Sequence, residues 1–424
     1  MSPALAGAVV VGLVCVVAGF VLSRVEPALV GAPLLIAAAL SWDRRPATDA
    51  VEVTTAAAVP PALALSATPE AALTGVDVSV SASSRSDALH LRLTRAGAPP
   101  VDAVVTPRAG AALRIDVPLV HSGPQRLLAV RARPVGADAG WVGEPGAEAQ
   151  VERVVSPLRR VVRSLPLPAR LLGLTGQHTS SRPGEGGEFR DIDVFRPGDR
   201  LRRIDWKATA RAGRQGELYV RRTTATSDAA IQLVIDSRDD LGAPVGDWAR
   251  VHPRPAVSSL DVAREAAASL AAAYARSGDR VGFDDLAVPG RVVPPRAGAR
   301  HRERVLRAVE LTRATGAAHD RVRPPRLAPG ALVYLFATFL DDQPVRLALS
   351  WRAAGHRVIA VDVLPHRDSS QLPLRERIAL RAIELERALR LAQLEASGAE
   401  LVPWGDATER EARLSVLSRP RRPR

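Results

Sequence analysis

Cysteine, lysine and aromatic side chains are nearly missing from this sequence. A single cysteine, Cys15, in 424 residues excludes an internal disulfide framework and any cysteine-rich zinc or iron–sulfur site. The eight histidines are scattered and form no His-Glu-x-x-His, so a metalloprotease helix is absent. The one lysine, Lys207, precedes Ala208. No Gly-Lys-Ser/Thr phosphate loop therefore exists, and the chain is not itself a P-loop ATPase. Aromatic residues make up 4%, too few for base-stacking platforms.

What is present is an apolar content of 46% beside 24% charged residues, enough for two or three domains with cores of their own. The net charge is +13, and all but one of the 58 basic residues are arginine. Abundant Ala, Gly and Pro accompany them. The arginine excess reads partly as compositional bias, so charge alone does not assign nucleic acid as a partner.

Residues 4 to 23 carry no charge, and about 20 such residues span a bilayer core. After Arg24-Val25-Glu26-Pro27 a second, shorter uncharged run extends from Ala28 to Trp42 and closes on Asp43-Arg44-Arg45. Pro27 suits the first turn of a helix. Trp42 suits the headgroup level, and Arg44 and Arg45 suit a cytoplasmic flank. The expectation for residues 1–45 is a two-helix membrane hairpin that leaves the rest of the chain in the cytoplasm. A cleaved signal peptide is disfavoured, because no basic segment precedes the long apolar run. A lipoprotein signal is disfavoured by Val14 before Cys15.

Residues 46–150 change to a period of two. Val76 to Ser81, Leu89 to Leu93, Leu113 to Val117 and Leu127 to Val135 are candidate strands separated by Gly, Pro and Ser. Such alternation indicates half-buried antiparallel strands, and about 100 residues of this kind fit a small β-sandwich. No catalytic constellation occurs in it, which favours a spacer or protein-binding module.

Residues 151–225 hold the most distinctive chemistry. Gly173 to Arg190 reads as a glycine-rich polar loop ending in Glu188-Phe189. Asp193-Val194-Phe195-Arg196-Pro197-Gly198-Asp199-Arg200 and Leu201-Arg202-Arg203-Ile204-Asp205-Trp206-Lys207-Ala208-Thr209-Ala210-Arg211 follow. Pro197-Gly198 is a turn dipeptide. Asp199, Asp205, Arg203 and Arg211 are near enough in sequence to pair, and arginine–carboxylate forks are geometrically specific. A structural lock is favoured over a ligand or partner site, since ion-pair networks are common without catalysis. The segment from Val151 to Thr226 carries 16 basic against 8 acidic residues, a balance that would also suit anionic lipid.

The string Glu188-Phe189, then Pro197-Gly198-Asp199, Arg203-Ile204-Asp205-Trp206 and Ala210-Arg211, resembles the signature of the bacterial domain of unknown function 58 family. The resemblance implies N-terminal membrane helices and a von Willebrand factor A-like domain after the signature. It also implies genes lying beside those of MoxR-type AAA+ ATPases. Where the family often has Arg-Glu-Tyr before Pro-Gly-Asp, this chain has Asp193-Val194-Phe195, as in actinobacterial-type members.

Residues 226–406 alternate strands and helices. Strands are expected at Ala230–Asp236, Arg280–Phe283, Ala331–Phe339, Arg357–Leu364 and Leu401–Trp404. Helices are expected at Ser258–Arg276, Arg302–Arg313, Gln343–Ala354 and Leu374–Ala396. Ser258 and Asp261 form a capping-box pattern. In the last helix, Leu374, Ile378, Leu385 and Leu389 share one apolar face. The alternation predicts an α/β domain with a doubly wound, mostly parallel sheet. Residues 407–424 form a basic tail, and from Arg413 onward its proline and like charge predict disorder.

In such sheets ligands bind at the carboxyl ends of the strands, at the switch point. Asp236, with Asp239 and Asp240, and Asp341, with Asp342, are expected at two such ends. The von Willebrand A-like resemblance implies a divalent cation held by Asp-x-Ser-x-Ser and a later aspartate. Here Arg238 and Asp240 replace both motif serines, and no threonine loop is evident. Asp236, Asp240 and Asp341 therefore read as a degenerate metal site, with Mg²⁺ or Ca²⁺ disfavoured on ligand count. The competing expectation is that Asp236 caps its own loop and pairs with Arg238.

No catalytic residue and no cofactor are assigned. The expected function is a membrane-anchored, non-enzymatic adaptor. Its partner, by resemblance, is a MoxR-type AAA+ ATPase, bound by the von Willebrand A-like edge or by Glu188, Phe189, Pro197, Gly198, Asp199, Arg203, Asp205, Trp206 and Arg211. The alternative is a metal-dependent hydrolase using the Asp236/Asp341 edge. Nucleic-acid binding is disfavoured by the missing aromatic motif.

Overall fold

The computed structural model describes residues 3–43, 51–57, 72–82, 88–95, 98–106, 111–119, 121–136, 142–169, 171, 176–212, 216–248, 250, 254, 256–316, 320–321 and 323–419. The chain forms two compact units. One comprises Met1–Val120, Gln125–Arg153 and Arg250–Pro255; the other comprises His121–Pro124, Val154–Ala249 and Ala256–Arg424.

The first unit begins with a helix pair, α1 (Pro3–Val21) and α2 (Val25–Asp43). Within α1, Ala4–Val21 is long and apolar enough to cross a membrane; the apolar part of α2, Val25–Ser41, is shorter. Small residues let the two backbones approach. A Cβ placed on Gly31 would lie 2.5 Å from the Gly12 carbonyl oxygen, so this crossing requires glycine. Pro27 lies in the first turn of α2 as expected. Arg44 and Arg45 lie outside the described residues.

Seven strands follow: β1 (Val51–Ala57), β2 (Ala72–Ala82), β3 (Ala88–Thr94), β4 (Val101–Val105), β5 (Ala111–Leu119), β6 (Gly123–Val135) and β7 (Ala149–Val155). They make a three-stranded antiparallel sheet, β1-β2-β5, and a four-stranded sheet, β4-β3-β6-β7. The alternating segments of the sequence became β2, β3, β5 and β6. In β3 the pattern seats Leu89 and Leu91 inside and turns Arg92 to solvent, as period-two burial requires.

The second unit contains a two-stranded antiparallel ribbon, β8 (His178–Val194) with β9 (Tyr219–Ser227), and a short helix α3 (Trp206–Ala212) between them. The polar loop expected up to Arg190 is thus strand from His178 onward. Its register slips repeatedly, and Gly184 and Phe189 both face Thr223. A bulged, glycine-containing strand has no continuous period of two, which is why its sequence resembles a loop.

The remaining elements are β10 (Ala230–Ile235), α4 (Ser259–Arg276), β11 (Arg280–Asp285), β12 (Val293–Arg296), α5 (Ala299–Glu310), β13 (Leu332–Ala337), α6 (Gln343–Ala353), β14 (Arg357–Asp362), α7 (Leu374–Ala396), β15 (Glu400–Pro403) and α8 (Ala407–Ser418). Their six strands form one sheet in the order β12-β11-β10-β13-β14-β15. It is parallel except for the antiparallel edge strand β12. β10 and β13 are buried at every position, the signature of strands covered on both faces. Ile231, Leu233 and Ile235 pack with α4, α5 and α8 on one face. Val234, Val333 and Leu335 pack with α6 and α7 on the other. The capping box of α4 is present, with Asp261 N donating to Ser258 Oγ and Ser258 N donating to Asp261 Oδ2.

Two expectations are corrected here. The tail is helical through Ser418: Asp406 caps α8 by accepting from Thr408 N and Glu409 N, and Leu414 enters the core. Residues 420–424 lie outside the described residues. In α7 the face of Leu374, Ile378, Leu385 and Leu389 is exposed, and the helix seats instead through Leu380, Arg387 and Leu394. The apolar pattern of α7 marks two stripes, and a charged residue holds the inner one. Arg387 donates to the Thr338 carbonyl at 2.7 Å and pairs with Asp362 at 2.5 Å.

Candidate functional site

β10 and β13 run parallel, but the order in which strands are added reverses between them, and the helices that follow, α4 and α6, lie on opposite faces, so the loops after these two strands diverge and leave a crevice at their carboxyl ends. Asp236 follows β10 directly, and Asp341 follows β13 by four residues. Arg238 lies between them. Its Nη2 donates to Asp236 Oδ2 at 2.7 Å and to both Asp341 oxygens, at 2.9 and 2.7 Å. Its Nε donates to Asp236 Oδ1 at 2.9 Å, and its Nη1 reaches Asp320 Oδ1 at 3.2 Å. Asp236 Oδ1 also accepts from the Arg238 backbone N–H at 3.3 Å. The loop-capping, arginine-paired role expected for Asp236 is present, and Asp341 and Asp320 join it.

Burial opposes charge on Arg238, but the hydrogen bonds and charges of Asp236 and Asp341 more than offset it and hold its pKa well above the ordinary value. Asp239 shows the opposite effect. Burial, reinforced by the negative charges of Asp236 and Asp341, pushes its pKa up.

The residues at this edge do not fit a divalent cation. Hard cations need several free oxygen ligands, and here the carboxylates already bind a guanidinium. Ser237 turns its hydroxyl to Asp285 Oδ1 at 2.5 Å. Asp240 is not brought to Asp236 and Asp341; its Oδ1 accepts from Leu260 N at 3.1 Å, at the start of α4. Among the described residues no group of three or more His, Cys, Asp or Glu side chains could hold a metal ion.

The signature segment lies on the β8–β9 ribbon and the turns after it. Gly198 takes φ +102° in the Pro197-Gly198 turn, and Asp199 Oδ2 closes the turn by accepting from Arg196 N at 2.9 Å. Asp205 Oδ1 accepts from Ala208 N at 2.9 Å at the start of α3. Arg222 of β9 bonds Asp193 and lies 3.7 Å from Asp199, so these two aspartates share it. Asp199 and Asp205 thus serve a turn and a helix cap, and Asp199 also lies beside Arg222, a residue outside the set expected to pair with it. The Val194 N–H, followed by Arg222, holds the Asp193 carboxyl below the usual range.

This inward use of carboxylates leaves basic and apolar groups outward. Leu201 and Trp206 are 69% and 68% exposed, and Arg196, Arg202, Lys207 and Arg211 are also exposed. Phe189 is half-exposed under the Arg221 guanidinium, 5.1 Å from its ring centroid. The Glu188 side chain lies outside the described residues. Sequence reasoning missed Arg222 and Asp320. Arg222 sits in an alternating strand far from the motif, and Asp320 lies in an irregular stretch without periodicity.

The chain is 30% identical over 206 residues to an uncharacterised protein of Mycobacterium bovis and to the uncharacterised protein Rv1480 of Mycobacterium tuberculosis. The aligned region is 46% of this chain and 60% of each relative, so the chain spans only part of the length of the curated proteins it matches. No solved structure matches it. Residues 191–397, which run from the signature turn through the Arg238 cluster to the end of α7, match the family described as Protein of unknown function DUF58.

Proposed function

We propose that the protein is a membrane-anchored, non-enzymatic adaptor whose α/β unit, read as von Willebrand A-like, binds a protein partner at the β10/β13 edge. One observation carries this reading. The crevice where such a sheet would hold a ligand cation is filled by the chain's own Arg238, paired with Asp236 and Asp341. An edge built this way offers a fixed, charged surface rather than open metal coordination. That favours recognition over metal-assisted hydrolysis. A MoxR-type AAA+ ATPase is the partner that the family resemblance suggests, and it would supply the hydrolysis for which this chain has no phosphate loop. In this reading α1 and α2 form a two-pass anchor in the plasma membrane with the soluble units in the cytoplasm, and the antiparallel sheets form a β-sandwich-like spacer.

The test is capture of the full chain from detergent-solubilised membranes of its host, beside Asp341→Ala. Recovery of an AAA+ ATPase, weakened several-fold by the substitution, supports the reading. Recovery without an ATPase, under conditions that preserve other membrane complexes, removes the partner. Uptake of Mg²⁺ or Ca²⁺ by the wild-type chain, lost in Asp236→Ala, replaces the adaptor with a metal site.

A further inference from the structure

Helix α7 carries an apolar stripe that nothing among the described residues covers. Leu374, Ile378, Leu385 and Leu389 are 66%, 64%, 60% and 71% exposed. Isolated exposed leucines are ordinary, but a continuous row of them marks an interaction surface. The row has a period. Ile378, Ala382, Leu385, Leu389 and Ala392 are spaced four, three, four and three residues apart, and Ala382 and Ala392 are exposed as well. Alternating steps of three and four are the a/d seam of a coiled coil, which accepts another helix rather than a strand or loop.

We infer that this seam pairs with α7 of a second copy of the protein, in parallel and in register. Charge complementarity selects that occupant. With Ile378, Leu385 and Ala392 at d and Ala382 and Leu389 at a, Arg381 falls at g and Glu386 at the next e. In a parallel pair a g residue faces the following e residue of the other helix. Arg381 therefore meets Glu386 of the partner subunit, and two-fold symmetry repeats the contact. Both residues are exposed. Neither flank of the seam places like charges opposite each other, since the remaining e and g positions beside it are Ala379, Ala388 and Gln393.

The helix is mounted rigidly for such pairing. On its inner side Arg387 bonds the Thr338 carbonyl and Asp362, and Arg390 Nε bonds Asp342 Oδ1 at 2.6 Å. These ties hold the seam outward, so dimerisation needs no rearrangement of the sheet.

The experiment measures the mass of the full chain in detergent by sedimentation, with the micelle density-matched. Wild type is expected as a dimer at micromolar concentration. Leu385→Glu is expected to shift it at least tenfold toward monomer, with a melting curve that matches wild type diluted to monomer, because Leu385 is on the surface. Arg381→Glu weakens the dimer, and adding Glu386→Arg restores it. Orientation is read in a Cys15→Ser background, where Ile378→Cys is expected to form an intermolecular disulfide, because an antiparallel pair would set position 378 against 392, and Arg413→Cys is not. A monomeric wild type, or a dimer indifferent to Leu385→Glu and to the charge exchange, overturns the inference. So does a seam that binds lipid vesicles while the chain stays monomeric.

Discussion

Arg238 and Asp341, 103 positions apart in the chain, meet through a two-pronged contact of 2.9 and 2.7 Å at the crevice between β10 and β13. The contact joins the two loops whose divergence would otherwise open the sheet edge. Asp236, only 10% exposed at its side chain, depends on the same guanidinium. Arg238→Met should therefore leave a nearly buried carboxylate without its cation, beside Asp239 and Asp341. Loss of one partner of such a cluster costs about 3–5 kcal/mol, and the lower end applies because Asp341 reaches solvent. Urea denaturation of the α/β unit in the full chain measures it. A loss under about 1 kcal/mol would show that the cluster is a surface ion pair of the usual small worth.

Removing Arg238 does not by itself uncover a metal site. Ser237 is committed to Asp285 and Asp240 to the first turn of α4. Arg238→Ser should gain no Ca²⁺- or Mg²⁺-dependent rise in melting temperature at millimolar metal. A clear metal-dependent rise would mean that the oxygen ligands rearrange freely once the guanidinium is gone.

The buried tyrosine pair in the core predicts an asymmetry. Tyr274 OH donates its only proton to the Pro166 carbonyl at 2.5 Å, so Tyr334 must donate across their 2.8 Å contact. Burial pushes both phenols up, well clear of neutral pH, so both stay protonated. Tyr274→Phe orphans the Pro166 carbonyl and the Tyr334 hydroxyl together and should cost about 2–3 kcal/mol. Tyr334→Phe removes one bond and should cost about 1 kcal/mol. Chemical denaturation of the two variants tests the order, and equal losses would contradict the proton assignment.

His178, at the start of β8, gives the second unit a pH dependence. Its Nε2 bonds Asp279 at 2.9 Å, and this bond, opposed in part by burial, raises the imidazole pKa above its ordinary 6.5. A raised pKa means that the folded state holds the proton more tightly than the unfolded chain. The contribution is therefore full below pH 6.5 and fades as pH rises through the folded value. His178→Gln should lose about 1 kcal/mol at pH 6 relative to wild type, the order of a hydrogen bond with a charged partner. The gap should narrow by pH 9. A loss independent of pH would assign His178 a packing role only.

The order of strands and helices in the α/β unit was legible because buried parallel strands and capped helices carry strong local signals. Ala230–Ile235 is apolar except for Gln232, and Ser258 with Asp261 announces α4. The ribbon strand β8 was illegible because its bulges break the period that marks a strand. In α7 periodicity identified the helix but not its orientation, since two apolar stripes coexist and the inner one is anchored by Arg387. Asp236, Arg238 and Asp341 could be placed at one edge from strand ends alone. That Arg238 bonds both carboxylates, and that Asp240 turns away, depends on loop geometry that no local pattern encodes.

The signature segment combines a fold-determining turn with an exposed surface, and two substitutions should separate them. Gly198 has open space around it, with nothing within 4 Å of an added Cβ, yet its φ of +102° excludes ordinary side chains. Gly198→Ala should cost about 1–2 kcal/mol through backbone strain alone, and it would also disturb the turn that Asp199 closes. Trp206 is 68% exposed at the start of α3, so Trp206→Ala should change stability by no more than about 0.5 kcal/mol. If the segment contacts a partner, an exposed tryptophan in a segment that also exposes Arg202, Lys207 and Arg211 is the side chain whose loss should be felt most, about tenfold or more in affinity. Capture from membranes and thermal melting, run on both variants, give the answer. Weak capture by Trp206→Ala with an unchanged melt assigns the segment a contact role. Undiminished capture makes it a structural lock whose exposed face carries no partner.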